Sequence, residues 1–266
     1  MRGSNPRLYV VGTIHTDIDG KERLDHILGR ISPGIIALEM HKDRESNKPK
    51  RKSFAAYCAE TDKAIATTGL RLTDQQKKTL MEGSYRATQS YGYELACSRS
   101  YVKKHPSTSL EYIDLSVYEN GKAKFEADFE KSCKETLELI ADDPEIASIF
   151  LKLFDNGTAA FIERSRKDIQ AIYENAPSLS LSGVDLRDPK IIEELRSEMS
   201  PEMLAIFDQS WNPRRDDAMA GHITKLYRGK NKIVSVVGLA HLDGLQSRLA
   251  DLKPTVLTLA EYASIL

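Results

Sequence analysis

The sequence predicts an α/β protein with a mostly parallel central sheet, flanking helices and a large helical insertion. Three observations carry this. Two apolar runs near opposite ends of the chain almost repeat each other, Val10-Val11-Gly12-Thr13-Ile14-His15 and Val236-Val237-Gly238-Leu239-Ala240-His241. A third run, Ile35-Ile36-Ala37-Leu38, ends in Glu39 just as those two end in histidine. Between these strand signals the section from about 50 to 230 shows mainly helical periodicity. We expect a single domain over residues 1–266.

The first strand runs over Leu8 to Ile14, followed by a helix from Lys21 to Ile31 that Ser32-Pro33-Gly34 ends. A strand from Ile35 to Met40 comes next. This β-α-β unit predicts parallel neighbouring strands joined by a right-handed crossover. Ser53 to Thr68 and Thr73 to Lys104 read as helical, the second opened by a Thr73-Asp74 cap. Gly83 and Gly92 mark a break or a close contact in it. Leu110 to Ser116 reads as a strand ending near Asp114, with a turn at Asn120-Gly121. Lys122 to Glu174 is helical and charged, with a helix start where Pro144 follows Asp142-Asp143. Leu179 to Gly183 is ambiguous. Pro189 to Phe207 and Pro213 to Arg228 are helical. A strand from Lys232 to Val237, a helix after His241 and a last strand near Thr255 to Leu259 close the chain.

Composition narrows the function. The formal net charge is -1, so no global field recruits nucleic acid or an anionic membrane. The basic run from Lys42 to Lys52 reads as a solvated loop or, as the lesser alternative, a loop that faces a ligand. Cys58, Cys97 and Cys133 are odd in number and widely spaced, which predicts reduced thiols and a cytoplasmic location. No secretory signal and no apolar run of membrane-spanning length is visible.

In parallel α/β sheets ligands bind where loops diverge from the carboxyl ends of strands. His15, Glu39 and His241 are therefore expected to meet in one site. Two imidazoles and a carboxylate suit Zn²⁺, Mn²⁺, Fe²⁺ or Co²⁺ and leave positions open for water. Such an ion would generate a hydrolytic nucleophile near neutral pH. Glu39 is a ligand or a general base, or pairs with Arg44. Gly12 and Gly238 allow close backbone approach to a ligand. Arg215 is a candidate for stabilising an oxyanion or a substrate carboxylate, while Asp217 suits the first turn of a helix. Glu94 is either a site acid or the surface partner of Arg86 and Arg99. Asp17, Asp19 and Gly20 match a fragment of a calcium loop that lacks the downstream glutamate.

Four segments in order resemble the TraB/PrgY family, related to the Tiki metalloproteases and more distantly to erythromycin esterase and ChaN-like proteins. They are Gly12-Thr13-Ile14-His15, then Ala37 to Arg44 with Glu39 five residues before Arg44, then Arg215-Asp216-Asp217-Ala218-Met219, then Gly238-Leu239-Ala240-His241. Gly92-Tyr93-Glu94 and Ile113-Asp114 match the family more loosely. The resemblance implies a Tiki/EreA/ChaN-like fold and a metal-dependent hydrolase, a peptidase with Mn²⁺, Co²⁺ or Zn²⁺. In that reading His15, Glu39 and His241 hold the metal, and Glu39, Arg215 and Glu94 are catalytic. The partner it implies is a peptide substrate, and a homo-oligomer is compatible with it. Alternatives are a binder that sequesters a pheromone-like peptide, and an esterase-like hydrolase that uses histidine as base without metal. The sequence departs from the family at His41, where Cys is common, and at Thr16-Asp17, which adds acid near the site. Many relatives carry membrane helices after the second histidine motif. This chain ends without them, which fits a soluble branch or a shortened chain.

Overall fold

The computed structural model describes residues 7–43, 52–68, 70–115, 143–175, 213–229 and 231–263, with scattered positions at 131–142 and 180–204. Residues 44–51, 116–130, Cys133, Asn212 and most of 189–207 lie outside it, and with them most of the basic run, the Asn120-Gly121 turn and one expected helix.

The chain begins with β1 (Leu8–Thr13), α1 (Gly20–Ile31) and β2 (Ile35–Leu38). Buried Leu24, Ile27, Leu28 and Ile31 recur at helical spacing and face the core. Ser32 adopts the left-handed conformation (φ 52°) and returns its N–H to the Leu28 carbonyl, which ends α1. Then come α2 (Phe54–Thr68), α3 (Asp74–Ser90) and α4 (Tyr93–Lys104). Thr73 and Gln76 form a reciprocal capping box at the start of α3. The 73–104 segment is two helices because Gly92 (φ 76°) turns the chain between them. Gly83 instead marks a close contact, since a Cβ there would overlap the Phe161 ring.

The strand β3 (Ser109–Tyr112) is followed among the described residues by α5 (Pro144–Lys152) and α6 (Gly157–Asn175). Asp143 caps α5 through the N–H groups of Glu145 and Ile146, with Pro144 in the first turn. The ambiguous 179–183 region holds β4 (Ser180–Leu181), paired antiparallel with β5 (Val184–Asp185). Next come α7 (Pro213–Tyr227) and β6 (Ile233–Gly238), then one 3-10 turn (Leu239–His241), α8 (Leu242–Arg248) and β7 (Thr255–Thr258).

Five strands form an all-parallel sheet in the order β3-β2-β6-β1-β7, as the sequence predicts for fold class. The expected adjacency of β1 and β2 is corrected: β6 lies between them. All six residues of β6 are buried, and a fully buried strand needs hydrogen-bonding partners on both edges. Insertion of β6 sets Thr13 beside Gly238 and Leu38 beside Val236. The three strand ends that carry His15, Glu39 and His241 are thereby consecutive in the sheet. No described helix is long and apolar enough to cross a membrane.

Candidate functional site

The site is built on the carboxyl end of β6. Gly238 closes that strand, and its N–H donates to Oε2 of Glu39, which enters from β2. A Cβ at Gly238 would lie 3.2 Å from Glu39 Oε2 and 3.3 Å from His15 Nε2. The hydrogen side chain at this position therefore leaves a small cradle bounded by a carboxylate oxygen and an imidazole nitrogen. On the other side, His241 Nε2 lies 3.3 Å from Glu39 Oε1. Glu39 thus sits between the two histidines that the sequence paired.

Each imidazole is backed by a carboxylate. His15 Nδ1 lies 2.7 Å from Glu94 Oε1, and the Thr13 hydroxyl, 3.1 Å away, donates to the same oxygen. His241 Nδ1 lies 2.6 Å from Asp216 Oδ1. A carboxylate at Nδ1 favours the tautomer that carries its proton there, which turns Nε2 into the working nitrogen. His241 is buried, whereas the His15 side chain is 44% exposed and forms the open side of the site.

Glu39 is held beneath them by Arg215. Arg215 Nη2 donates to Glu39 Oε1 at 2.6 Å and to Asp114 Oδ2 at 2.6 Å, while Nε donates to Asp114 Oδ1 at 3.0 Å. Asp114 is fully buried at the side chain, so this fork is a desolvated ion pair in bidentate geometry. Burial pushes the Glu39 carboxyl up, but the His241 hydrogen bond and the charges of His241, Arg215 and His15 outweigh it. The net result holds Glu39 far below the ordinary carboxylate range. For His241, burial pulls down while hydrogen bonds to Asp216 and Glu39 and the charge of Glu39 push up to about 9. Burial likewise opposes the charged form of Arg215, yet its two carboxylates raise it above its usual value.

The structure brings His15, Glu39, His241, Arg215 and Glu94 together. Glu94 is buried and bound to His15, not a surface partner of Arg86 or Arg99. Asp217 pairs on the surface with Arg248 at 2.5 Å. Its neighbour Asp216 has a role beyond the helix dipole, and sequence reasoning missed it. Gly244 makes room for it, since any Cβ there would overlap the Asp216 carboxylate. His41 pairs locally with Asp43 at 3.1 Å. Asp17 does not add acid to the cradle, because it is turned inward against Tyr173 and Arg23. Asp19 is taken by a bidentate contact from Arg166, so the calcium-loop fragment is satisfied by side chains. Among the described residues, no three His, Cys, Asp or Glu side chains close into a ready-made metal cage.

Comparison with known proteins adds a distant relative. The chain is 24% identical over 250 residues to a protein of Methanocaldococcus jannaschii described as uncharacterized protein MJ1365. The match covers 92% of this chain and 54% of that protein, so the chain spans about half the length of the relative. No family model matches the chain. No solved structure matches it with significance.

Proposed function

We propose that this protein is a metal-dependent hydrolase of the TraB/PrgY type, with a peptide as substrate. The observation that carries the reading is the convergence of His15, Glu39 and His241 on the Gly238 cradle, with each imidazole backed by its own carboxylate. Imidazole nitrogen and carboxylate oxygen suit Mn²⁺, Co²⁺ or Zn²⁺. The 3.3 Å between His241 Nε2 and Glu39 Oε1 matches the roughly 3.4 Å that separates two ligands of one tetrahedral ion. His15, Glu39 and His241 would hold the metal, and the bound ion would supply an acidified water and a polarised carbonyl.

The protein's own groups have separable tasks. Glu94 and Asp216 fix the orientation of the two histidines. Arg215 and the Gly238 N–H fix Glu39, whose carboxyl is held so far below the ordinary carboxylate range that it serves better as an ionised ligand than as a proton acceptor. Half-exposed His15 faces the arriving substrate. The peptide nature of that substrate rests on the family resemblance. Free Cys58 and Cys97 support a reducing, cytoplasmic setting.

One observation favours a second reading. A half-exposed histidine with Glu94 at Nδ1 is also the arrangement of a general base, which would activate water without metal. Incubation with a mixed peptide library, read by mass spectrometry, separates the readings. The metal reading predicts cleavage that chelator abolishes and Mn²⁺ or Co²⁺ restores. Cleavage unchanged in chelator contradicts it in favour of the His15 base. Peptides bound tightly but recovered whole indicate sequestration.

A further inference from the structure

The loop that carries His15 is gripped from the helical middle of the chain by two buried tyrosines. β1 ends at Thr13, so the backbone of Ile14 leaves the sheet ladder one residue before the histidine. A backbone N–H and C=O leaving a ladder inside a protein need new partners. The Ile14 N–H donates to the Tyr173 hydroxyl of α6 at 2.9 Å. Its carbonyl accepts from the Tyr93 hydroxyl of α4 at 3.3 Å and from the Asp17 N–H at 2.8 Å. The Tyr173 hydroxyl in turn donates to Asp17 Oδ2 at 3.2 Å, and Asp17 Oδ1 accepts from the Asp19 N–H at 2.9 Å. Tyr173, Tyr93 and Asp17 are all at most 3% exposed. Gly20 admits the Tyr93 ring, because a Cβ there would overlap it.

We propose that Tyr173, supported by Tyr93, is a positioning residue for His15, and that α6 sets the order of one side of the site through it. Two features make this more than packing. A phenylalanine would fill the same core, whereas only a hydroxyl can accept the Ile14 N–H. The two hydroxyls also meet the backbone of the single residue that precedes the site histidine, while His241 is fixed separately through α7 and α8. The helical middle thereby acquires a function: displacement of α6 is transmitted to His15 and not to His241. The proposal needs only that His15 belongs to the site; its metal arm rests on the hydrolase reading above.

The test uses the 266-residue chain with ¹⁵N- and ¹³C-labelled histidine, in the wild type, Tyr173→Phe and Tyr93→Phe. The wild type should give one sharp set of His15 imidazole signals. Tyr173→Phe should shift or broaden the His15 signals and leave those of His241 in place, with Tyr93→Phe acting in the same direction more weakly. Unchanged His15 signals in both variants overturn the proposal. Equal changes at His15 and His241 overturn it too, because they report general loosening. If Tyr173→Phe does not fold, Tyr93→Phe decides by the same criteria. In parallel, Co²⁺ titration followed by its visible absorption should show about tenfold weaker binding in Tyr173→Phe, the usual scale for loss of a group that orients a ligand. A wild type that takes no Co²⁺ counts against the metal reading alone, and the histidine signals still decide the role of Tyr173.

Discussion

Replacement of Arg215 by methionine keeps the aliphatic stem and removes the guanidinium that joins Asp114 to Glu39. Asp114 then remains in place without its cation and Glu39 keeps only its two histidines, with side-chain exposures of 0% for Asp114 and 5% for Glu39. Breaking a buried pair by deleting one partner costs about 3–5 kcal/mol, because the remaining charge is left desolvated. An exposed pair would cost about 1 kcal/mol or less. With whole-protein stabilities of about 5–15 kcal/mol, the Arg215→Met loss is a large share of the total. Equilibrium urea unfolding followed by circular dichroism at pH 7 measures it. The penalty should shrink as pH falls through the ordinary carboxylate range, since protonation relieves the stranded charges. Arg215→Met/Asp114→Asn should recover part of the loss, and Arg215→Lys should be milder because it keeps the charge without the fork. A loss below about 1 kcal/mol for Arg215→Met would refute the buried network as the support of Glu39.

Three further outcomes follow from the same geometry. The His241 imidazole is raised to about 9 in the folded protein, from an ordinary value near 6.5. Its contribution to stability is therefore complete below about pH 6.5 and lost as pH rises through about 9, about 3 kcal/mol in all. Unfolding of metal-free, chelator-treated wild type against His241→Gln between pH 6 and 10 should show the wild-type advantage falling over that window, and an advantage independent of pH would contradict the assignment. Gly244→Ala should displace Asp216 and weaken divalent-metal binding about 10–100-fold, measured by titration calorimetry. Gly221→Ala, with open space around it in α7, should leave binding unchanged and raise stability by up to about 1 kcal/mol.

Continuous apolar runs and the polar residues at their ends were sufficient to read the fold class and to single out His15, Glu39 and His241. Those features are local, and parallel sheets place strand ends on one face whatever the strand order. Strand order itself was not legible. A β-α-β pattern favours neighbouring strands, and only the demand of a fully buried β6 for two partners separates β1 from β2. The helix breaks at Gly92 and Pro144 were readable because glycine and proline restrict the backbone in known ways. The pairing of each histidine with its own carboxylate was not, although the family resemblance brought Glu94 into the candidate site. Asp216 and Glu94 lie in helical segments where an acid has an ordinary surface explanation, and their burial depends on contacts 25 and 79 residues away in sequence. Tyr173 lies further still, 159 residues from Ile14, and no pattern along the chain marks a hydroxyl that will meet one backbone amide.

The central claim is that His15 and His241 share a divalent metal with Glu39. Elemental analysis of the purified protein, beside His15→Ala/His241→Ala and after exposure of both to Mn²⁺, Co²⁺ and Zn²⁺, tests it most directly. The account predicts close to one equivalent of transition metal per wild-type chain and none in the folded double variant. Wild type that takes up no metal, or a double variant that retains it, would contradict the claim.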